Sequence, residues 1–138
     1  MTTGLSVELN TSFENAVERT TKALADQGFG VLTTIDIKAT MKQKLDEDME
    51  NYVILGACNP VLAHRALGVD RQLGQLLPCN VVVRSDRDNP DGVVLVEAMD
   101  PQIMVRVAGD SEGLREVADQ AAAKLQAAIS AVGQTGSG

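Results

Sequence analysis

Aromatic side chains are scarce: among 138 residues only Phe13, Phe29 and Tyr52 carry one, and tryptophan is absent. The core must therefore be filled by Val, Leu, Ile, Ala and Met, and a stacking platform for bases or sugars is largely excluded. Cysteine is nearly as rare. Cys58 and Cys79 are too few to staple a disulfide scaffold, so in a reducing compartment they are expected as free thiols unless they do redox or metal chemistry. No run approaches the ~18 apolar residues that span a bilayer. The start, Met1-Thr2-Thr3-Gly4, has neither the basic nor the apolar stretch of a secretory leader, and a cytoplasmic location is expected. Positive charge is also short, twelve Lys and Arg against nineteen Asp and Glu for a formal charge of −7. The one basic group, Lys38, Lys42 and Lys44, sits beside Asp46, Glu47, Asp48 and Glu50. It reads as a solvated helix face, and no nucleic-acid or membrane partner is expected.

What is present is an ordinary globular composition, 44% hydrophobic and 22% charged. The length suits a single domain, expected over residues 1–132, with a flexible Gly- and Ser-rich tail over 133–138.

Residues 5–9 alternate apolar and polar, the pattern of a half-buried strand. Thr11 followed by Glu14 predicts a capping box, after which Phe13, Ala16, Val17, Thr20 and Leu24 share a helical face until Gly28. A second strand is predicted over 30–35. Asp36 then caps a short helix carrying Ile37, Met41 and Leu45 at one-turn spacing, and Asp46 to Glu50 reads as a loop. A third strand follows over 52–57. Asn59-Pro60 is a cap followed by proline in the first helical turn, with Gly68 ending that helix. A loop or helical turn over 70–77 leads to a strand over 79–85, whose Val81-Val82-Val83 marks it as central. The run Asp86 to Gly92 reads as the turn of an antiparallel hairpin into Val93-Val94-Leu95-Val96. Asp100-Pro101 repeats the cap-then-proline signal, and Gly109 closes a short helical segment. From Asp110 or Ser111 a long amphipathic helix places Leu114, Val117, Ala118, Ala121, Ala122, Leu125, Ala128, Ile129 and Val132 on one face.

This order predicts an α+β fold, β-α-β(4)-α: a mostly antiparallel sheet with both long helices on one face and short helical insertions. The opposite face needs a cover from the short helices, a ligand or a second subunit. A homodimer is the simplest solution.

Chemistry concentrates in Val53–Leu67 and Leu76–Val83, which hold both cysteines and the only histidine. Cys58 lies between a strand end and a helix start, where unpaired backbone N–H groups favour a thiolate. If the third and fourth strands are antiparallel neighbours, Cys79 faces it. Cys58, His64 and Cys79 then make a Cys2His candidate set with one open position for a soft or borderline metal ion, zinc or copper, and the same pocket of a homodimeric binding module is the candidate site for a sulfur-containing, thiol-linked small ligand. Asn59, Arg65 and Asn80 flank them as candidate ligand-binding groups, or merely cap a helix and pair with an acid such as Asp100. The competing readings are a structural one, with the thiols as buried small hydrophobes, and a thiol-dependent enzyme with His64 as base to Cys58. A disulfide requires Cα atoms within about 7 Å. No phosphate-binding glycine loop or hydrolase elbow occurs. The Asp86, Asp88, Asp91 turn fails as a calcium loop, because Pro90 takes a ligand position and Asp91 the glycine position.

The segments Gly28-Phe29-Gly30-Val31-Leu32, Ile35-Asp36-Ile37-Lys38-Ala39-Thr40, Leu55-Gly56-Ala57-Cys58-Asn59-Pro60, Leu62-Ala63-His64-Arg65-Ala66-Leu67, Leu76-Leu77-Pro78-Cys79-Asn80-Val81-Val82-Val83 and Ala98-Met99-Asp100-Pro101 resemble the signature of the bacterial and archaeal domain-of-unknown-function family three hundred and two. The resemblance runs from about Phe13 to Leu125. It implies a TBP-like fold and a homodimer, and it places Cys58, Asn59, His64, Arg65, Cys79 and Asn80 inside the recognisable signature. It supplies no catalytic residue.

Overall fold

A computed structural model describes residues 5–134. Five strands form one sheet in the order β1-β5-β4-β3-β2, every neighbouring pair antiparallel. They are β1 (Ser6–Leu9), β2 (Gly30–Asp36), β3 (Tyr52–Cys58), β4 (Cys79–Asp86) and β5 (Asn89–Ala98). The helices are α1 (Phe13–Asp26), α2 (Ile37–Leu45), α3 (Pro60–Val69), α4 (Ile103–Ala108) and α5 (Glu112–Gln134), with a 3-10 turn over Arg71–Leu76. The expected α+β order and the two long helices on one face are both present.

The valine-rich β4 is the central strand, as its composition requires. Alternation aims Val81 and Val83 at the helices with no exposure, while Val82 points to the other face and is half-buried. Leu9, Val53, Leu55, Val94 and Val96 join the helix side, where they meet Ala16, Leu24, Leu125, Ala128 and Ile129. The many alanines let α1 and α5 lie close to the sheet. Gly133 shows the same economy, because a Cβ there would come within 2.9 Å of Val7 Cγ2 on β1.

A second cluster lies under the N-terminal half of α5, where Leu62, Ala66, Leu73 and Met104 pack against Leu114, Val117, Ala118 and Ala121. The short helices therefore cover α5. They leave the second face of the sheet to its own side chains: Ile35, Ile54, Val82 and Glu97 lie in one cross-strand row, and Tyr52, Arg84 and Leu95 in the next. Arg84 and Glu97 make a two-pronged ion pair there, Nε to Oε1 at 2.8 Å and Nη2 to Oε2 at 3.3 Å. That hydrogen-bonded carboxylate raises the Arg84 pKa further.

Several local expectations need correction. The cap of α1 is Ser12, whose Oγ accepts from the Asn15 N–H at 3.1 Å; Thr11 instead accepts from the Asn15 side chain. Asp36 does cap α2, through the Ala39 N–H at 2.9 Å. The apolar row of α2 is nonetheless not buried, and Leu45 is 64% exposed; the main packing of this helix is against β3. Helix α3 runs past Gly68 to Val69. The β4–β5 turn is tighter than the whole Asp86 to Gly92 run, since Asp86 already pairs with Asn89. Helix α5 continues through Gln134, so the first two residues of the expected tail are helical; residues 135–138 lie outside the described residues. Among the described residues no helix is long and apolar enough to cross a membrane.

Candidate functional site

The register of β3 and β4 sets Ala57 opposite Cys79, so the end of one strand meets the start of the other, as the sequence suggested. Beyond Cys58 the chain turns into α3. Asn59 makes that turn: its Oδ1 accepts from the Leu62 N–H at 3.2 Å, and its amide reaches the Gln27 carbonyl at 3.5 Å. One side chain thus caps α3 and ties it to the end of α1.

Cys58, Asn59 and Cys79 line a single cavity of about 20 Å³. Phe29 and Ala57 close it on the sheet side, Leu62 and Ala66 on α3, Met104 on α4, and Val117 and Ala121 on α5. The cavity therefore lies on the seam between the two apolar clusters. Its volume is that of one water-sized occupant, but a trapped water needs two to four polar partners. The Asn59 amide, already committed at both ends, is the one non-sulfur polar side chain in the wall. Cys58 is half-buried and Cys79 is 6% exposed. Burial, with a smaller contribution from Cys58, pushes the Cys79 thiol up from 9.0 to about 11.

The other three candidates lie elsewhere. His64 is exposed on α3 and does not line the cavity. Its neighbours Leu62, Ala63 and Ala66 fill that wall, so the helical period that turns them inward turns the imidazole out. The Cys58–His64–Cys79 metal set is therefore not assembled. Among the described residues no three His, Cys, Asp or Glu side chains gather as metal ligands. Arg65 bridges α3 to α5, donating to Gln120 Oε1 at 3.1 Å and pairing with Glu116 at 3.6 Å. Asp100 is not its partner; that carboxylate accepts from the Gln102 N–H. Asn80 is exposed on β4, where the strand period places it opposite Gly56.

Met104 and Phe29 are the wall residues that sequence reasoning passed over. Phe29 was already conspicuous as one of three aromatics. Nothing local marked Met104, which reaches the cavity because α4 folds back against α5 and the 3-10 turn.

A second depression, about 460 Å³, adjoins the first through Asn59 and Leu62 and is lined also by Asp26, Gln27, Gln120 and Lys124.

The match to the family described as Domain of unknown function DUF302 spans residues 5–132. A solved crystal structure, of an uncharacterized conserved protein DUF302 from Bacillus stearothermophilus, is 27% identical and superposes with a TM-score of 0.79, covering 91% of this chain and 94% of that one. Among curated proteins none matches this chain.

Proposed function

We propose that this chain, which belongs to the DUF302 family, works as a dimeric binding module whose site is the thiol-lined cavity between β3, β4 and α3. The observation that carries the reading is that Cys58 and Cys79, on adjacent strand ends, both border one apolar cavity, with the Cys79 side chain sealed on its helix side. Thiols so placed suit a thiophilic ligand, whose attraction to sulfur survives where hydrogen bonds are few. A thiol-dependent enzyme would need His64 beside Cys58, and the exposed imidazole supplies no such base.

Support for the dimer comes from the second face of the sheet. Ile35 is 46% exposed there, beside half-buried Ile54, Val82 and Leu95. A second copy would cover these side chains with the same surface, as a twofold interface does.

The site reading is tested with methyl methanethiosulfonate, a small thiol reagent, on the folded protein. Modification of Cys58 before unfolding is the expected result. Two thiols that stay inert until the chain unfolds would make them core residues and overturn it.

A further inference from the structure

Among the described residues α2 is the only helix without a buried residue. Both its ends are nonetheless finished. Asp36 accepts from the Ala39 N–H, and Asp46, left-handed at φ 56°, closes the last turn with its N–H on the Lys42 carbonyl at 3.0 Å. Caps alone do not hold such a helix. It has nine residues, and isolated helices shorter than about 12–15 are marginal in water, their stability in proteins coming from a packed face. Apolar surface is left over in the same segment: Leu32 is 67%, Ile35 46% and Leu45 64% exposed, and Leu45 continues the row of half-buried Ile37 and Met41 at one-turn spacing.

We propose that α2 is a docking arm for a second copy of this chain, laying its apolar row on the second face of that copy's sheet and receiving the other arm in return. This rests on the dimer reading above and extends its interface from the sheet to the helix.

A second copy satisfies two uncovered surfaces at once. The row of α2 lacks a cover, and so do half-buried Ile54, Val82 and Leu95 on the sheet; a twofold arrangement sets each against the other. Charge agrees. Helix α2 carries Lys38, Lys42 and Lys44 and no acid. The β1–β5 side of the sheet face carries Glu8, beside Leu95, and Glu97, against the single cation Arg84, and is net negative. A twofold axis parallel to the strands lays the β2 edge of one copy over the β1 edge of the other, which brings the lysines to those glutamates. Lys42 is already held by Asp46 and Asp48 at 3.0 and 3.3 Å, whereas Lys44 has no ion pair among the described residues. An anionic lipid surface fits less well, because Asp46, Glu47, Asp48 and Glu50 follow the helix directly.

The test is hydrogen–deuterium exchange of the full-length protein at concentrations above and below dimer dissociation, with the oligomeric state followed by sedimentation. Amides of residues 39–45 should exchange about tenfold faster in the monomer than in the dimer. Leu45→Glu changes a side chain exposed in its own chain, so the monomer should melt as the parent does, while the unpaired charge raises the dimer dissociation constant about tenfold. Lys44→Glu should weaken the dimer and flatten its dependence on salt. Equal exchange of α2 in the two states, or a Leu45→Glu dimer as tight as the parent's, would overturn the proposal. A dimer lost in Val82→Glu but untouched by Leu45→Glu defeats the arm alone, and a parent that stays monomeric at micromolar concentration defeats the dimer reading with it. A monomeric parent that cosediments with phosphatidylserine vesicles, and ceases to in Leu45→Glu, would assign the row to a lipid surface and overturn the proposal as well.

Discussion

Cys79 stands beside Cys58 across the β3–β4 register, one residue diagonal from its partner Ala57, and both residues border the same apolar cavity, although the strand period turns their side chains to opposite faces of the sheet. Their environments differ. Cys79 is sealed into the core, while Cys58 at the strand end keeps partial access to solvent.

That difference makes folding stability depend on pH in the alkaline range. Below about pH 9 the Cys79 thiol is protonated in both folded and unfolded chains, so its contribution is constant. Above it the unfolded chain loses this proton while the folded one keeps it up to about 11, so stability falls across that window. The full loss is on the order of 2–3 kcal/mol. Denaturant midpoints measured from pH 8 to 11 should drop more steeply for the parent protein than for Cys79→Ala. Parallel curves would show that Cys79 does not carry the effect.

Gly56 is required by close packing on the second face of the sheet. A Cβ there would lie 2.2 Å from Thr33 Oγ1 and 2.9 Å from Pro78 Cγ. Gly56→Ala should cost about 1–3 kcal/mol by overpacking. Thr33→Ala in the same chain removes the nearer clash and should restore part of the loss. Thermal melts of the single and double variants check this, and strict additivity would count against the clash.

Asn59 joins two elements with one side chain. Asn59→Ala should lower stability by about 1 kcal/mol through loss of the α3 cap, and Asn59→Asp, which still accepts from the Leu62 N–H, should recover most of it. Urea unfolding distinguishes the two. Equal losses in both variants would assign the effect to the Gln27 contact instead.

The proposed dimer makes a separate prediction. Ile54 and Val82 are direct cross-strand partners on the uncovered face. Val82→Glu should place an unpaired charge in the interface and shift sedimentation from dimer to monomer, leaving the circular dichroism spectrum unchanged. A parent protein that sediments as a monomer at micromolar concentration would contradict the dimer outright.

Local chemistry was enough to predict the order of elements. Caps at Asp36, Asn59 and Ser111, proline after Asn59 and Asp100, and the valine run of β4 each act within a few residues, so the chain states them directly. Even the meeting of Cys58 and Cys79 followed from two antiparallel strands with one connection between them. The orientation of α3 did not follow. His64 and Arg65 are adjacent to the cavity in sequence, yet helical rotation under the packing of Leu62 and Ala66 sends both outward, and Arg65 ends on α5. Met104 is the converse case, remote in sequence and brought to the cavity wall by the docking of α4. Composition and caps thus determined which elements form, because they depend on neighbours along the chain. Which side chains share a cavity was decided only by tertiary packing, because that depends on how far each helix turns before its apolar face is buried.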